Sequence, residues 1–176
     1  MTELQTKITE NMASISLIGM AGAGKSTLAR LLAEASGWAY LDTDRLIEAT
    51  YGMSLGQLLK KDGLDDFLKI EESVVCDLFV YRSIIATGGS VIYSQKAMEH
   101  LRRLGKLVYL KIDLETFRER LGDVDARAFI KPNGLTLEDV YTERTPLYEK
   151  AADIIIETDK QAPETCLAML KDQLSL

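Results

Sequence analysis

The run Gly19-Met20-Ala21-Gly22-Ala23-Gly24-Lys25-Ser26 satisfies the pattern GxxxxGK[ST], and Thr27 extends it. Each fixed position has a chemical reason. Glycines let the backbone wrap closely around a polyphosphate and aim successive N–H groups at it. Lys25 brings a mobile positive charge to the outer phosphates, and Ser26 opens a helix with a hydroxyl suited to Mg2+. The helix N-terminus adds a partial positive charge of its own. Four fixed positions recur by accident in a chain of this length less than about once in a hundred. The stretch is therefore read as a cradle for a nucleotide's phosphates.

Asp42 and Asp44 stand directly after a short apolar run, Ala39 to Leu41. In open α/β sheets, ligands bind beyond the carboxyl ends of strands. Two carboxylates in D-x-D spacing can divide two tasks of phosphoryl transfer there. One holds Mg2+ and the other accepts the proton of an attacking hydroxyl. The same spacing also suits a solvated turn, or a helix cap for the segment from Arg45. Gly88-Gly89 follows another apolar run. Bare glycines there let a substrate approach backbone N–H groups, or simply make a turn.

These residues need elements to position them. Short apolar runs at Ile15 to Ile18, Ala39 to Leu41, Ser83 to Thr87, Leu107 to Ile112 and Asp153 to Glu157 read as buried strands. Between them lie helix-period segments, and that alternation predicts a parallel sheet flanked by helices. Leu28, Leu31, Leu32 and Ala35 have helical spacing, with Gly37 placed to close the helix. Ser54 to Lys61 and Leu64 to Tyr81 read as two helices, the second with Phe67, Ile70, Val74 and Leu78 on one face. Ser94, Asp113 and the segment after Thr136 open further helices, and Pro163 suits the first turn of the last. Gly122 to Gly134 is polar and rich in turn residues.

Composition narrows the function classes. The chain has 176 residues, 47% apolar and 27% charged, with a net charge of -6. An acidic balance argues against a nucleic-acid partner, since phosphate backbones are held by an excess of Lys and Arg. Cys76 and Cys166 lack metal or redox spacing and read as reduced thiols in or near the core. The single histidine, His100, reads as a surface helix residue and leaves little material for a zinc site or a Ser-His-Asp triad. No run reaches the length of a membrane span, and the N-terminus lacks the pattern of a secretory signal. The expectation is a cytoplasmic protein with a small-molecule substrate, no nucleic acid and no membrane association.

From Ile15 to Leu174 the chain resembles the shikimate kinase family. The resemblance is carried by GMAGAGKST at Gly19–Thr27, LDTD at Leu41–Asp44 and ATGG at Ala86–Gly89, then by RTPLY at Arg144–Tyr148, Ala151-Ala152-Asp153 and Thr158-Asp159 followed by Pro163. It implies an α/β P-loop fold of the nucleoside-monophosphate-kinase type: a five-stranded parallel sheet flanked by helices, in a single kinase domain spanning 1–176. It also implies a phosphate loop at 19–27, a substrate-binding region at about 43–72 and a lid at about 121–134. The activity implied is transfer of the ATP γ-phosphate to a hydroxyl of shikimate, with Mg2+, by a monomer. Residue by residue, Lys25 stabilises the transferring phosphoryl group, and Ser26 and Asp42 hold Mg2+. Asp44 orients substrate hydroxyls and is the candidate base. Gly88 and Gly89 offer backbone contacts to the substrate. Arg127 is the lid arginine, Arg144 grips a carboxylate, and Arg120 and Pro163 sandwich the adenine.

The sequence departs from the family pattern at three places. Leu68 stands where an arginine that helps hold the carboxylate is expected, and leucine cannot imitate a bidentate guanidinium. Its neighbour Lys69 points about 100° away around a helix. Ser90 stands in place of a third glycine after Gly88-Gly89. Arg127 is followed by Ala128-Phe129-Ile130 instead of Pro-Leu-Leu. These changes leave the phosphate loop, the aspartates and the lid arginine in place and open one alternative acceptor, another small hydroxylated acid such as homoserine. A non-catalytic nucleotide-binding regulator and a nucleoside-monophosphate kinase are the competing classes.

Overall fold

The computed structural model describes residues 13–122, 130–131 and 134–176. Five strands form one sheet: β1 (Ser14–Ile18), β2 (Ala39–Asp42), β3 (Ser83–Ala86), β4 (Gly105–Lys111) and β5 (Ile154–Glu157). Their order is β2-β3-β1-β4-β5, and every pairing is parallel. The register sets Leu17, Ala86 and Asp42 level across three neighbouring strands. The loops leaving those strands therefore emerge together at one edge, where the phosphate loop, the D-x-D pair and the glycine pair all sit. This is the sheet edge that favours ligand binding in open α/β folds.

The strands are apolar runs because both faces are covered, as parallel sheets require. All five residues of β1 are buried. Helix α1 (Lys25–Ser36) packs Leu28, Ala29, Leu32 and Ala33 inward and ends at Gly37 in the left-handed conformation. Ser94 opens α4 (Gln95–Leu104) by accepting from the Ala97 N–H. Asp113 accepts from the Thr116 N–H at the start of α5 (Leu114–Gly122). A capping box between Thr136 and Asp139 starts α6 (Leu137–Ala151), and Pro163 opens α7 (Pro163–Leu174). Each of these caps lies where the sequence placed it.

Two elements between β2 and β3 carry the substrate side. Helix α2 (Thr43–Tyr51) begins at Asp42, whose side chain accepts from the Asp44 and Arg45 N–H groups. Helix α3 (Leu55–Cys76) is one run with a non-helical residue, Gly63, inside it. That kink falls between the two expected helices. The second of them stops at Cys76 instead of Tyr81: Asp77 caps it through Ser73 O, and Leu78 keeps its inward place without being helical. Phe67, Val74, Ile47, Leu58 and Ile130 form a small core of their own beneath this region.

A short 3-10 helix, Gly89–Tyr93, follows β3. Cys76 and Cys166 are free thiols, partly buried and buried. His100 is half-buried rather than on the surface, its Nε2 2.8 Å from Leu78 O. Among the described residues, no helix is long and apolar enough to cross a membrane.

Candidate active site

A cavity of about 440 Å³ opens beyond the strand ends, lined by the phosphate loop, Asp44, Phe67, Gly88, Ser90 and Arg144 among others. Gly22 and Gly24 adopt positive φ angles of 77° and 89°, a region L side chains rarely enter. These two turns carry the chain from β1 into α1. Lys25 is buried, and its Nζ donates to Gly19 O and Met20 O, both at 2.7 Å. Burial pushes its pKa down to about 8 against the pull of Asp44, with Arg144 adding to the fall. Lys25 thus remains largely cationic at neutral pH, close to the line between its two states.

Ser26 Oγ donates to Asp42 Oδ2 at 2.8 Å, joining the end of β2 to the start of α1. Asp42 thus combines both sequence readings: one oxygen caps α2, and the other faces the phosphate loop. Tyr40 Oη also donates to that second oxygen, at 3.0 Å. Burial, and then the Asp42 charge, push Asp44 up to about 6, while Lys25 pulls it back. Asp44 is therefore mainly ionised at neutral pH yet a stronger proton acceptor than an ordinary aspartate.

Gly88 and Gly89 close the cavity floor. The Gly88 N–H donates to Thr43 Oγ1 at 3.1 Å, so the contact expected to reach a substrate is made inside the protein. Gly89 O accepts from Tyr148 Oη at 2.5 Å. Arg144 is 1% exposed, yet it lines the cavity. Its Nε donates to Tyr93 Oη at 3.1 Å, its guanidinium lies 4.8 Å from the centre of that ring, and Nη2 donates to Ile130 O. A guanidinium held this firmly keeps a fixed direction, which suits a planar carboxylate.

Arg120 packs against the phosphate loop, donating to Gly22 O at 2.9 Å and to Thr158 O at 3.4 Å. Pro163 is exposed at the first turn of α7. Arg127, and most of the lid expected at 121–134, lies outside the described residues. Thr158 and Asp159 act structurally: Thr158 Oγ1 lies 3.3 Å from Ala23 O, and Asp159 accepts from the Asp113 N–H.

A family model described as shikimate kinase matches residues 21–175. The chain belongs to the shikimate kinase family. A shikimate kinase of Xylella fastidiosa (strain M12) is 35% identical over 157 residues, covering 88% of this chain and 87% of that relative. A solved shikimate kinase from Acinetobacter baumannii, in complex with shikimate, is 31% identical with a TM-score of 0.83, covering 97% of both chains. One from Aquifex aeolicus is 29% identical with a TM-score of 0.80, covering 92% of this chain and 96% of that one.

Within the family frame, the donor set beside the phosphate loop can be tested for Mg2+. Ser26 and Asp42 supply oxygen only, and the described residues hold no cluster of three or more His, Cys, Asp or Glu side chains that could bind a metal. So sparse and hard a set fits Mg2+, which keeps several waters and binds mainly through substrate phosphates.

Set against the shikimate kinase pattern, the structure also places a residue that the sequence reading missed. Glu71 is 2% exposed, and its Oε1 has no hydrogen-bond partner. Burial pushes it up to about 7; Asp44 adds to the rise, while Ser90, Arg144 and Lys25 pull it down. A signal was available. Glu71 falls on the same helical face as Phe67 and Val74, and a carboxylate on an apolar stripe seldom lacks a reason. Lys69 meanwhile points to solvent and pairs with Asp66 at 2.7 Å, so it does not stand in for the arginine missing at Leu68.

Proposed function

We propose that this chain transfers the γ-phosphoryl group of ATP to a hydroxyl of shikimate. One observation carries the reading: Lys25, Asp44 and Arg144 line a single cavity above the phosphate loop, in a chain of this family. The loop N–H groups and Lys25 take the nucleotide's phosphates. Arg144 takes the carboxylate of the acceptor, which turns a hydroxyl toward Asp44. That hydroxyl oxygen forms a bond to the γ-phosphorus as the bond to the β-phosphate oxygen breaks, and its proton passes to Asp44. ADP leaves with the bridging oxygen. Lys25 offsets charge on the transferring group. Ser26 and Asp42 are the residues that would hold Mg2+, the latter through water. When bound, the ion neutralises phosphate charge.

Further assignments belong to the same reading. Arg127 reaches the phosphates from a lid at about 121–134, and closing such a lid excludes water from the transfer. Arg120 and Pro163 flank the adenine, Ala23 and Thr27 complete the phosphate cradle, and Gly89 borders the acceptor. A single kinase domain, acting as a monomer in the cytoplasm, completes what the family resemblance implies.

The test is ADP release from MgATP with shikimate, homoserine and gluconate supplied separately. Shikimate alone should drive turnover. ATP binding without turnover on any of the three would overturn the assignment and favour a nucleotide-binding regulator.

A further inference from the structure

The family pattern offers two arginines to the acceptor's carboxylate, and this chain keeps one. Leu68 occupies the first position, and Lys69 is turned to solvent on Asp66. Arg144 is left to meet the carboxylate alone. An arginine side chain has several rotatable bonds, and a ligand must remove that freedom unless the protein has already done so. Lys25 adds a second difficulty, because its positive charge and that of Arg144 repel each other.

Tyr93 meets both difficulties. It lies 51 positions before Arg144, at the end of the 3-10 helix. Its Oη accepts from Nε at 3.1 Å, and its ring centre lies 4.8 Å from the central carbon of the guanidinium. The oxygen sets the rotation of the group, and the ring face supports its charge. Both contacts come from a neutral side chain. A carboxylate in the same place would hold Arg144 as firmly but cancel the charge that an anionic ligand needs. Among the described residues, Tyr93 stands outside the wall of the catalytic cavity. It lines instead a small open pocket of about 130 Å³, which Leu68 also lines. The position that lost its arginine and the residue that braces the remaining one are thus neighbours, brought together by α3 and the 3-10 helix.

We infer that Tyr93 is a positioning residue for the acceptor's carboxylate, bracing Arg144 so that one guanidinium serves where the family pattern has two. The inference rests on the proposed acceptor being an acid. Tyr93 touches no substrate; it acts by holding Arg144 in its binding direction before the acceptor arrives.

The experiment titrates the protein with shikimate and with its carboxamide, which lacks the charge. The wild type should bind the acid about tenfold or more tighter than the amide, the scale of one charge-assisted contact. Tyr93→Leu should shrink that preference to about threefold or less, and Tyr93→Phe, which keeps the ring, should fall between the two. A merely structural fault weakens both ligands alike and leaves their ratio unchanged. ATP affinity, measured alongside, reports that each variant is folded. In a Leu68→Arg background a second guanidinium takes up the carboxylate, so Tyr93→Leu should leave the preference at about tenfold or more. A ratio unmoved by Tyr93→Leu in the parent, or lowered as far in Leu68→Arg as in the parent, overturns the inference and leaves the kinase reading intact. A wild type that does not turn over shikimate overturns both.

Discussion

Asp44 and Glu71 each direct a carboxylate oxygen at the α-carbon of Gly88. A Cβ on Gly88 would stand 2.7 Å from Asp44 Oδ1 and 2.3 Å from Glu71 Oε1. The φ of Gly88 is −59°, open to any residue, so space alone demands glycine here. The carboxylates of Asp44, the proposed base, and of buried Glu71 are thus held against a single backbone atom.

That contact makes Gly88→Ala a probe of the proposed base, Asp44. The new methyl group must displace Asp44, Glu71 or the strand end. Misplacement of a reacting group by about 1 Å can cost roughly a hundredfold, so turnover should fall by at least tenfold or so while nucleotide affinity holds. Steady-state kinetics with ADP binding measured in parallel checks this; unchanged kcat would show that the carboxylates have room to move.

Asp44→Asn should lower kcat by about a hundredfold or more, the scale of losing a general base. The residue still fits its place and can still accept a hydrogen bond, so shikimate affinity should change less than kcat. A small loss in kcat would mean that the transition state is loose enough to need no base.

Glu71 predicts how stability varies with pH. Burial raises its folded pKa to about 7, above the ordinary glutamate value of 4.5. The folded state therefore binds the extra proton between these values. The contribution is fully present below about pH 4.5 and is lost as pH rises through about 7. Glu71→Gln carries no charge to bury. Relative to wild type it should gain stability from pH 5 to pH 8, by at most about 3 kcal/mol. Denaturant melts of the two proteins at both pH values measure the difference; parallel curves would place Glu71 in a solvated setting.

Leu68→Arg restores the residue of the family pattern beside a small pocket whose wall includes the buried carboxylate of Glu71. A guanidinium there can pair with Glu71 and present its other edge to a carboxylate. KM for shikimate should fall by about tenfold, the scale of one charge-assisted contact. Weaker use of shikimate by this variant would point to a different acceptor.

Much of this protein is legible along the chain because its rules are local. A loop that must wrap a phosphate has to place glycines, Lys25 and Ser26 within eight positions, and helix caps such as Ser94 and Thr136 act within one turn. Alternating strands and helices fix a parallel sheet, and the loops that follow its strands fall at one edge. Tertiary packing decided the rest. Nothing near Gly88 announces that its N–H belongs to Thr43, or that its face is filled by Asp44 and Glu71. Nor does spacing reveal that Leu68, Glu71 and Ser90 line one small open pocket, since α3 and the 3-10 helix meet only once the sheet is built. Sequence periodicity identifies neighbours on a single element; contacts between elements depend on how helices rotate and seat, and that is set by the whole core.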